Sequence, residues 1–424
     1  MESTARLEPQ PWMTAPETRA VIAALTAEGA TVRFVGGCVR DALLERPVTD
    51  VDIATHDEPE KVIALLEAAA IRVVPTGIAH GTVTAVVGKA HFEITTLRLD
   101  VETFGRRARV AFTNDWALDA ARRDFTINAL FCSPDGELFD PFGGIEDLRA
   151  RRVRFVGQAE DRIREDVLRL LRFFRFYAHY GRPPPDGAAL AACRELAHLL
   201  PTLSGERVAG EVLRLMAAPD PAPVLALMAD EGVLADILPE AGTIARLGGL
   251  VALERELGQA KVDAGGALRR LAAALQVDAP GAEELAARLR LSNVEKARLA
   301  ALAAPAKPVT VTGDDKTRRR ELYGLGPELY RDLVMLQWAA RRGEVGELAR
   351  DEVAAYRGLV EAADAWEPVQ LPVKGRDAVA LGVPKGPRVG ELLQEVERWW
   401  IERDFRPGRA ECLAKLEKLA ARGG

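Results

Sequence analysis

Residues 33–54 read RFVGGCVRDALLERPVTDVDIA, and the rest of the chain is organised around them. Arg33 to Val35 form a short apolar strand, Gly36 and Gly37 a glycine pair before a helix, Pro47 a turn, and a second strand carries Asp50 and Asp52. Side chains two apart on a strand point the same way, so Asp50 and Asp52 share a face while Val51 and Ile53 turn to the core. Carboxylates held that close repel by roughly a few kcal/mol at intermediate dielectric. A cation between them relieves the repulsion, and hard oxygen ligands suit Mg²⁺ (magnesium), which takes one or two carboxylates plus substrate phosphates. Gly36 and Gly37 let backbone N–H groups approach phosphate at a helix N-terminus. Arg40, in the first turn of that helix, adds a bidentate phosphate contact. Together these parts suggest a site for a metal and a nucleoside triphosphate.

The chain has 424 residues, 28% charged and 48% hydrophobic, which places it among globular proteins of several domains. No apolar run approaches the ~20 residues that span a bilayer, and the polar N-terminus has no signal-peptide core. The expectation is a cytoplasmic protein with no membrane contact and no obligate protein partner evident. Cys38, Cys132, Cys193 and Cys412 lie far apart without CxxC pairs, so free thiols are expected rather than structural zinc. The five histidines show no metal-ligand spacing. A net charge of −6 argues against indiscriminate nucleic-acid binding, yet Arg149 to Arg182 holds ten arginines against four acidic residues. Such a basic patch on an acidic protein is a footprint for a selected polyanion.

Taken in order, residues 1–16 read as a flexible arm and 17–29 as a helix stopped by Gly29. After the Asp50/Asp52 strand a helix covers about 58–70, followed by strand-like runs at Arg72–Val74, Thr82–Val87 and Phe92–Leu97. Glu93, on the last of these, is either a third acidic group at the metal or a solvated strand residue. Residues 98–121 show little periodicity and read as a surface loop that can act as a lid. From about residue 155 helical periodicity takes over. The fold class is therefore α+β, a small mostly antiparallel-sheet head followed by an all-α remainder.

Two later stretches carry polar groups in fixed patterns. In ARRDFTINALF (121–131), Arg123, Asp124 and Asn128 serve either as ordinary salt bridging and capping or as contacts to triphosphate and ribose. FDPFGGIEDL (139–148) reads as a structural turn ending in a helix start. In EDRIREDVLRLLRFFRFYAHY (160–180), read as one helix, Asp166, Arg169, Arg172 and Arg175 recur every third residue among apolar groups. They form either a solvated face or a stripe along a cleft receiving phosphate or base. A carboxylate beside an arginine also reads bases. Cytosine and adenine each present an amino donor next to a ring acceptor, whereas uracil and guanine present the reverse. Such a contact gives roughly 1–3 kcal/mol of discrimination.

The motifs VGGCVRDALL with DVD, RRDFTINAL, DPFGG, REDVLRLLRFFRF and SGERVAGEVLRLM (204–216) occur in an order and spacing that resemble the class II tRNA nucleotidyltransferases (CCA-adding enzymes) and the related bacterial poly(A) polymerases, within the polymerase beta-like nucleotidyltransferase superfamily. The resemblance covers roughly residues 30–216. It implies that Asp50 and Asp52 bind metal and are catalytic, and that Gly37, Arg40 and Arg123 contact nucleotide, with Asp124 and Asn128 on that motif's other fixed positions. It implies further that Asp166 and Arg169 template the incoming base, with Arg172 and Arg175 beside them. It also implies a catalytic head over 17–150, a base-selecting neck over 151–220, a body over 221–305 and a tRNA-contacting tail over 306–424, elongated and helical after the head. CTP and ATP are the implied substrates, the tRNA 3′ end the acceptor and Mg²⁺ the cofactor. The 98–121 stretch is not shortened, which within the family favours continuing from CC to A. Poly(A) synthesis is the alternative within the family. A non-catalytic RNA-binding protein is the alternative from another class, disfavoured by the metal pair.

Overall fold

The computed structural model describes residues 2–104, 107–242, 244–258 and 262–421. Its strands are β1 (Ala5–Arg6), β2 (Val32–Val35), β3 (Val51–Thr55), β4 (Arg72–Gly77), β5 (Thr82–Val87), β6 (Ala90–Thr96), β7 (Arg98–Phe104), β8 (Arg107–Phe112), β9 (Phe131–Cys132) and β10 (Glu137–Phe139). Eight of them form one sheet in the order β1-β10-β9-β2-β3-β6-β5-β4. All its ladders are antiparallel except β3 against β6. That parallel pair is what builds the site, because its register sets Asp52 opposite Glu93. Phe34 and Ile53, opposite each other on β2 and β3, are fully buried beneath it.

The helices of this region are α1 (Pro11–Thr14), α2 (Pro16–Thr26), α3 (Gly37–Leu43), α4 (Pro59–Ala68), α5 (Trp116–Ala121), α6 (Gly144–Arg149), α7 (Ala159–Glu165), α8 (Leu168–Tyr180), α9 (Gly187–Leu196) and α10 (Gly205–Met216). After Phe139 every named element among the described residues is helical. By its internal contacts the chain divides into two units, Met1–Ala241 with Arg288–Arg290, and Gly242–Ala287 with Leu291–Gly424. In the second unit the helices Ile244–Glu256, Ala264–Ala274 and Pro327–Val345 enclose Glu254, Arg269, Arg270 and Asp332, all buried and ion-paired. The helices Pro387–Glu402 and Arg409–Ala420 close a separate apolar cluster around Val396, Trp400 and Leu416.

Three expectations are corrected. The supposed flexible arm is ordered: β1 adds an edge strand to β10, Leu7 and Met13 are buried, and the Trp12 ring meets Phe34 edge-on at 4.8 Å. Its few apolar residues are enough to seat it. Residues 98–121 are not a loop but the hairpin β7–β8 followed by α5, which Asp115 caps by accepting from the Ala117 N–H at 2.7 Å. Gly105 and Arg106 lie outside the described residues. The helix over 160–180 is broken: α7 ends at Glu165, Asp166 is extended (φ −148°, ψ 104°), and α8 starts anew. The Asp166 carboxylate accepts from the Leu168 N–H (3.2 Å), the local alternative to helix that makes aspartate a terminator.

The DPFGG turn is structural. Asp140 accepts from the Gly144 and Ile145 N–H groups at 2.7 and 2.9 Å, starting α6. A methyl group on Gly144 would overlap the Thr126 carbonyl. Gly144→Ala is therefore expected to lower stability by about 1–3 kcal/mol, the cost of overpacking, read as a drop in Tm.

Candidate active site

The glycine turn after β2 requires its glycine, since Gly36 sits at φ +72°. The Arg123 guanidinium lies 3.4 Å from where a Cβ on Gly36 would stand, and that of Arg40 lies 3.7 Å from the corresponding point on Gly37. Two cations thus roof the turn. The Gly36 N–H is already given to the Leu130 carbonyl at 3.1 Å, so a backbone contact to phosphate falls to Gly37.

Gly36, Gly37, Arg40, Asp52, Arg123, Asp124 and Asn128 line one side of a cleft of about 490 Å³. The α7–α8 junction and α10 supply the other side with Asp166, Leu168, Arg169, Arg172, Phe176 and Arg207. Ten of the sequence-derived site residues are thereby brought together. Asp50, Glu93 and Arg175 are not on the cleft wall. Asp50 precedes β3, exposed, and accepts from Thr49 Oγ1 at 3.0 Å. Arg175 points to α10, where its Nε donates to Glu211 at 2.5 Å. A helical stripe tells which residues share a face, not which partner each one meets.

A chain of polar contacts runs across the cleft floor. Arg40 is buried, with Nε and Nη2 on Asp41 (2.9 and 2.7 Å) and Nη1 on Asn128 Oδ1 (2.7 Å). Asn128 Nδ2 donates to Asp124 Oδ1 (2.9 Å), and Arg172 Nε donates to Asp124 Oδ2 (2.8 Å). Burial by itself would raise the Asp124 carboxyl, but Arg172, Asn128 and the Phe125 N–H hold it down at about 2. Behind this chain, Phe125 and Phe155 pack on α8 through Phe173 and Phe176. Each buried aromatic there contributes roughly 1.5–3 kcal/mol.

Asp166 and Arg169 are each fixed by a different element. Arg207 Nη2 on α10 donates to both Asp166 oxygens (2.9 and 2.8 Å). Arg169 donates to Glu165 (2.5 Å) and to the Arg162 and Arg122 carbonyls (both 3.1 Å). Arg207 is the charged cleft residue that the sequence does not single out. It lies inside SGERVAGEVLRLM, and no spacing within that stretch points to its partner Asp166, 41 residues away.

The carboxyl of Asp52 is the perturbed group. Burial first, then Glu93 across the ladder and Asp50, push it up to about 6 against the pull of Arg123 and Arg40. Among the described residues no three histidine, cysteine or acidic side chains converge into a closed metal site. The donor set still fits a hard divalent cation: its groups are oxygens, and a cation removes the repulsion that burial and the neighbouring carboxylates impose on Asp52. The basic run Lys316–Arg320 is largely spoken for. Arg318 pairs with Asp315, Arg319 with Asp404 through two bonds (2.9 and 2.7 Å), and Arg320 reaches the Ile401 carbonyl.

A glycine turn before a helix, the strand carrying Asp52 and a helical wall bearing Asp166 and Arg169 thus surround one cleft. Residues 32–154 match the Poly A polymerase head domain family, and residues 186–243 the probable RNA- and SrmB-binding site of polymerase A. The mitochondrial CCA tRNA nucleotidyltransferase 1 of Danio rerio is 34% identical over 395 residues, 91% of this chain and 87% of the relative. A CCA-adding enzyme of Anoxybacillus flavithermus is 39% identical over 225 residues, 53% of this chain and 55% of the relative. The solved CCA-adding enzyme of Bacillus stearothermophilus in complex with CTP superposes with a TM-score of 0.73 at 30% identity, covering 96% of this chain and 99% of that one. The chain belongs to the CCA tRNA nucleotidyltransferase family. Membership implies dependence on a divalent metal. Among the described residues no helix is long and apolar enough to cross a membrane.

Proposed function

We propose that the protein transfers CMP and AMP from CTP and ATP to the 3′ end of tRNA, building or repairing the CCA terminus and releasing pyrophosphate. The observation that carries this reading is a single cleft with Asp52 and the glycine turn on one side and Asp166 and Arg169 on the other. One side suits triphosphate chemistry and the other suits a base.

In this reading the Gly37 N–H, Arg40 and Arg123 hold the triphosphate and stabilise the charge that builds on departing pyrophosphate. Asp124 and Asn128 fix the sugar side, and Arg172 stands over phosphate or base. Asp166 accepts from the amino group of cytosine or adenine while Arg169 donates to the ring nitrogen. Asp50 and Asp52, with Glu93 as the neighbouring carboxylate, would hold Mg²⁺, which supplies Lewis-acid polarisation of the α-phosphate and activation of the 3′-hydroxyl. No side-chain nucleophile is needed. The division into head, neck, body and tail, with the tail on tRNA, belongs to the same proposal, as does a cytoplasmic location. Four free, buried cysteines are in keeping with a reducing compartment.

The test supplies tRNA ending at the discriminator base, Mg²⁺ and labelled nucleotides singly and together, with the products sequenced. The expected product ends in CCA and grows no further. Long A tracts from ATP alone would replace this reading with poly(A) synthesis. RNA binding without any incorporation would leave a non-catalytic protein.

A further inference from the structure

The extended backbone at Asp166 leaves that residue outside both flanking helices, so its carboxylate is placed by the donors it meets. One is the Leu168 N–H at 3.2 Å. The other is Arg207, whose single Nη2 bridges both oxygens at 2.9 and 2.8 Å. The two side chains are only 21% and 23% exposed, and both line the cleft. A carboxylate offers about four lone-pair sites, so one bridging nitrogen orients it and leaves acceptor capacity free for a base.

The helix that carries Arg207 is itself firmly seated. A Cβ on Gly205 would overlap the Arg288 carbonyl, so the backbone packs there without a side chain between. Arg290 holds Glu206 at 2.8 Å. One turn on, buried Glu211 accepts from Arg175 (2.5 Å) and Arg214 (3.1 Å), tying α10 to α8.

We propose that Arg207 is a positioning residue for base selection, clamping Asp166 so that its carboxylate meets an amino group beside a ring acceptor and rejects the reverse pattern. This rests on the reading of Asp166 as the base-reading acceptor. Without the clamp, Asp166 turns in the cleft and accepts uracil nearly as well as cytosine.

The test measures kcat/KM for CTP and for UTP on tRNA lacking CCA, with the full chain and Mg²⁺. Arg207→Met is expected to lower the CTP-to-UTP ratio about tenfold, the share of one bidentate base contact. Arg207→Lys, which keeps a charged donor, should recover most of the ratio. Arg207→Gln gives the same reading should the methionine variant not fold. In an Asp166→Ala background Arg207→Met should change the ratio no further. Equal loss with both nucleotides, or an unchanged ratio where Asp166→Ala alone lowers it, overturns the positioning role. A ratio unchanged in Asp166→Ala itself overturns the base-reading assignment and this inference with it.

Discussion

Replacing Asp52 with asparagine is expected to cut nucleotide incorporation by about three orders of magnitude while leaving nucleotide affinity within a fewfold of wild type. The substitution keeps size and shape but removes one of the two carboxylates assigned to the divalent cation. Losing that charge stabilisation costs several kcal/mol of transition-state binding, and each ~1.4 kcal/mol is tenfold in rate. The groups assigned to the triphosphate, Gly37, Arg40 and Arg123, are untouched. Stability should move the other way. Burial, Glu93 and Asp50 all disfavour the Asp52 carboxylate, so a neutral amide relieves repulsion and Tm should hold or rise. Catalytic groups often carry such a stability cost. Single-turnover incorporation, equilibrium nucleotide binding and thermal melting together check this. Activity within tenfold of wild type would remove Asp52 from the metal site.

Elements whose patterning agrees with their tertiary setting are legible in the sequence alone. The β3 and β6 strands alternate and lie on one sheet, so Asp52 and Glu93 were readable as neighbours, and the register pairs them directly. The hairpin β7–β8 escaped although residues 98–102 (RLDVE) alternate polar and apolar; the ladder with Arg98 opposite Phe112 declares it. The break at Asp166 escaped for a different reason. Residue types on both sides suit one helix, and what stops it is a carboxylate turned to the Leu168 N–H and held from α10. Periodicity carries no information about a clamp 41 residues away. Arg175 shows the same limit, its partner Glu211 lying 36 residues on. Local physics writes faces and caps into sequence, whereas ion-pair choice among ten nearby arginines is settled only by packing.

That packing makes one carboxylate disproportionately important. Asp124→Ala is expected to lower kcat/KM about 100-fold and to destabilise the protein by about 2–3 kcal/mol. Asp124 is buried and simultaneously holds Arg172, Asn128 and the Phe125 N–H, while Asn128 in turn holds Arg40. Its removal loosens groups on both sides of the cleft at once, and misplacement by ~1 Å is enough for a 100-fold loss. The stability figure sits below the usual ~3–5 kcal/mol for an orphaned buried charge, because the Arg172 side chain is 31% exposed and water reaches it. Acid titration gives a signature that a simple packing defect lacks. The carboxyl is held at about 2 against an ordinary 3.8, which corresponds to about 2 kcal/mol of stability. A depressed carboxyl contributes fully above its unfolded value and loses the contribution as pH falls through the folded one. The Tm gap between wild type and variant should therefore be widest above about pH 4 and narrow as pH falls toward 2. A gap that stays constant over that range would mean that Asp124 stabilises the fold by shape, not by its charge on Arg172.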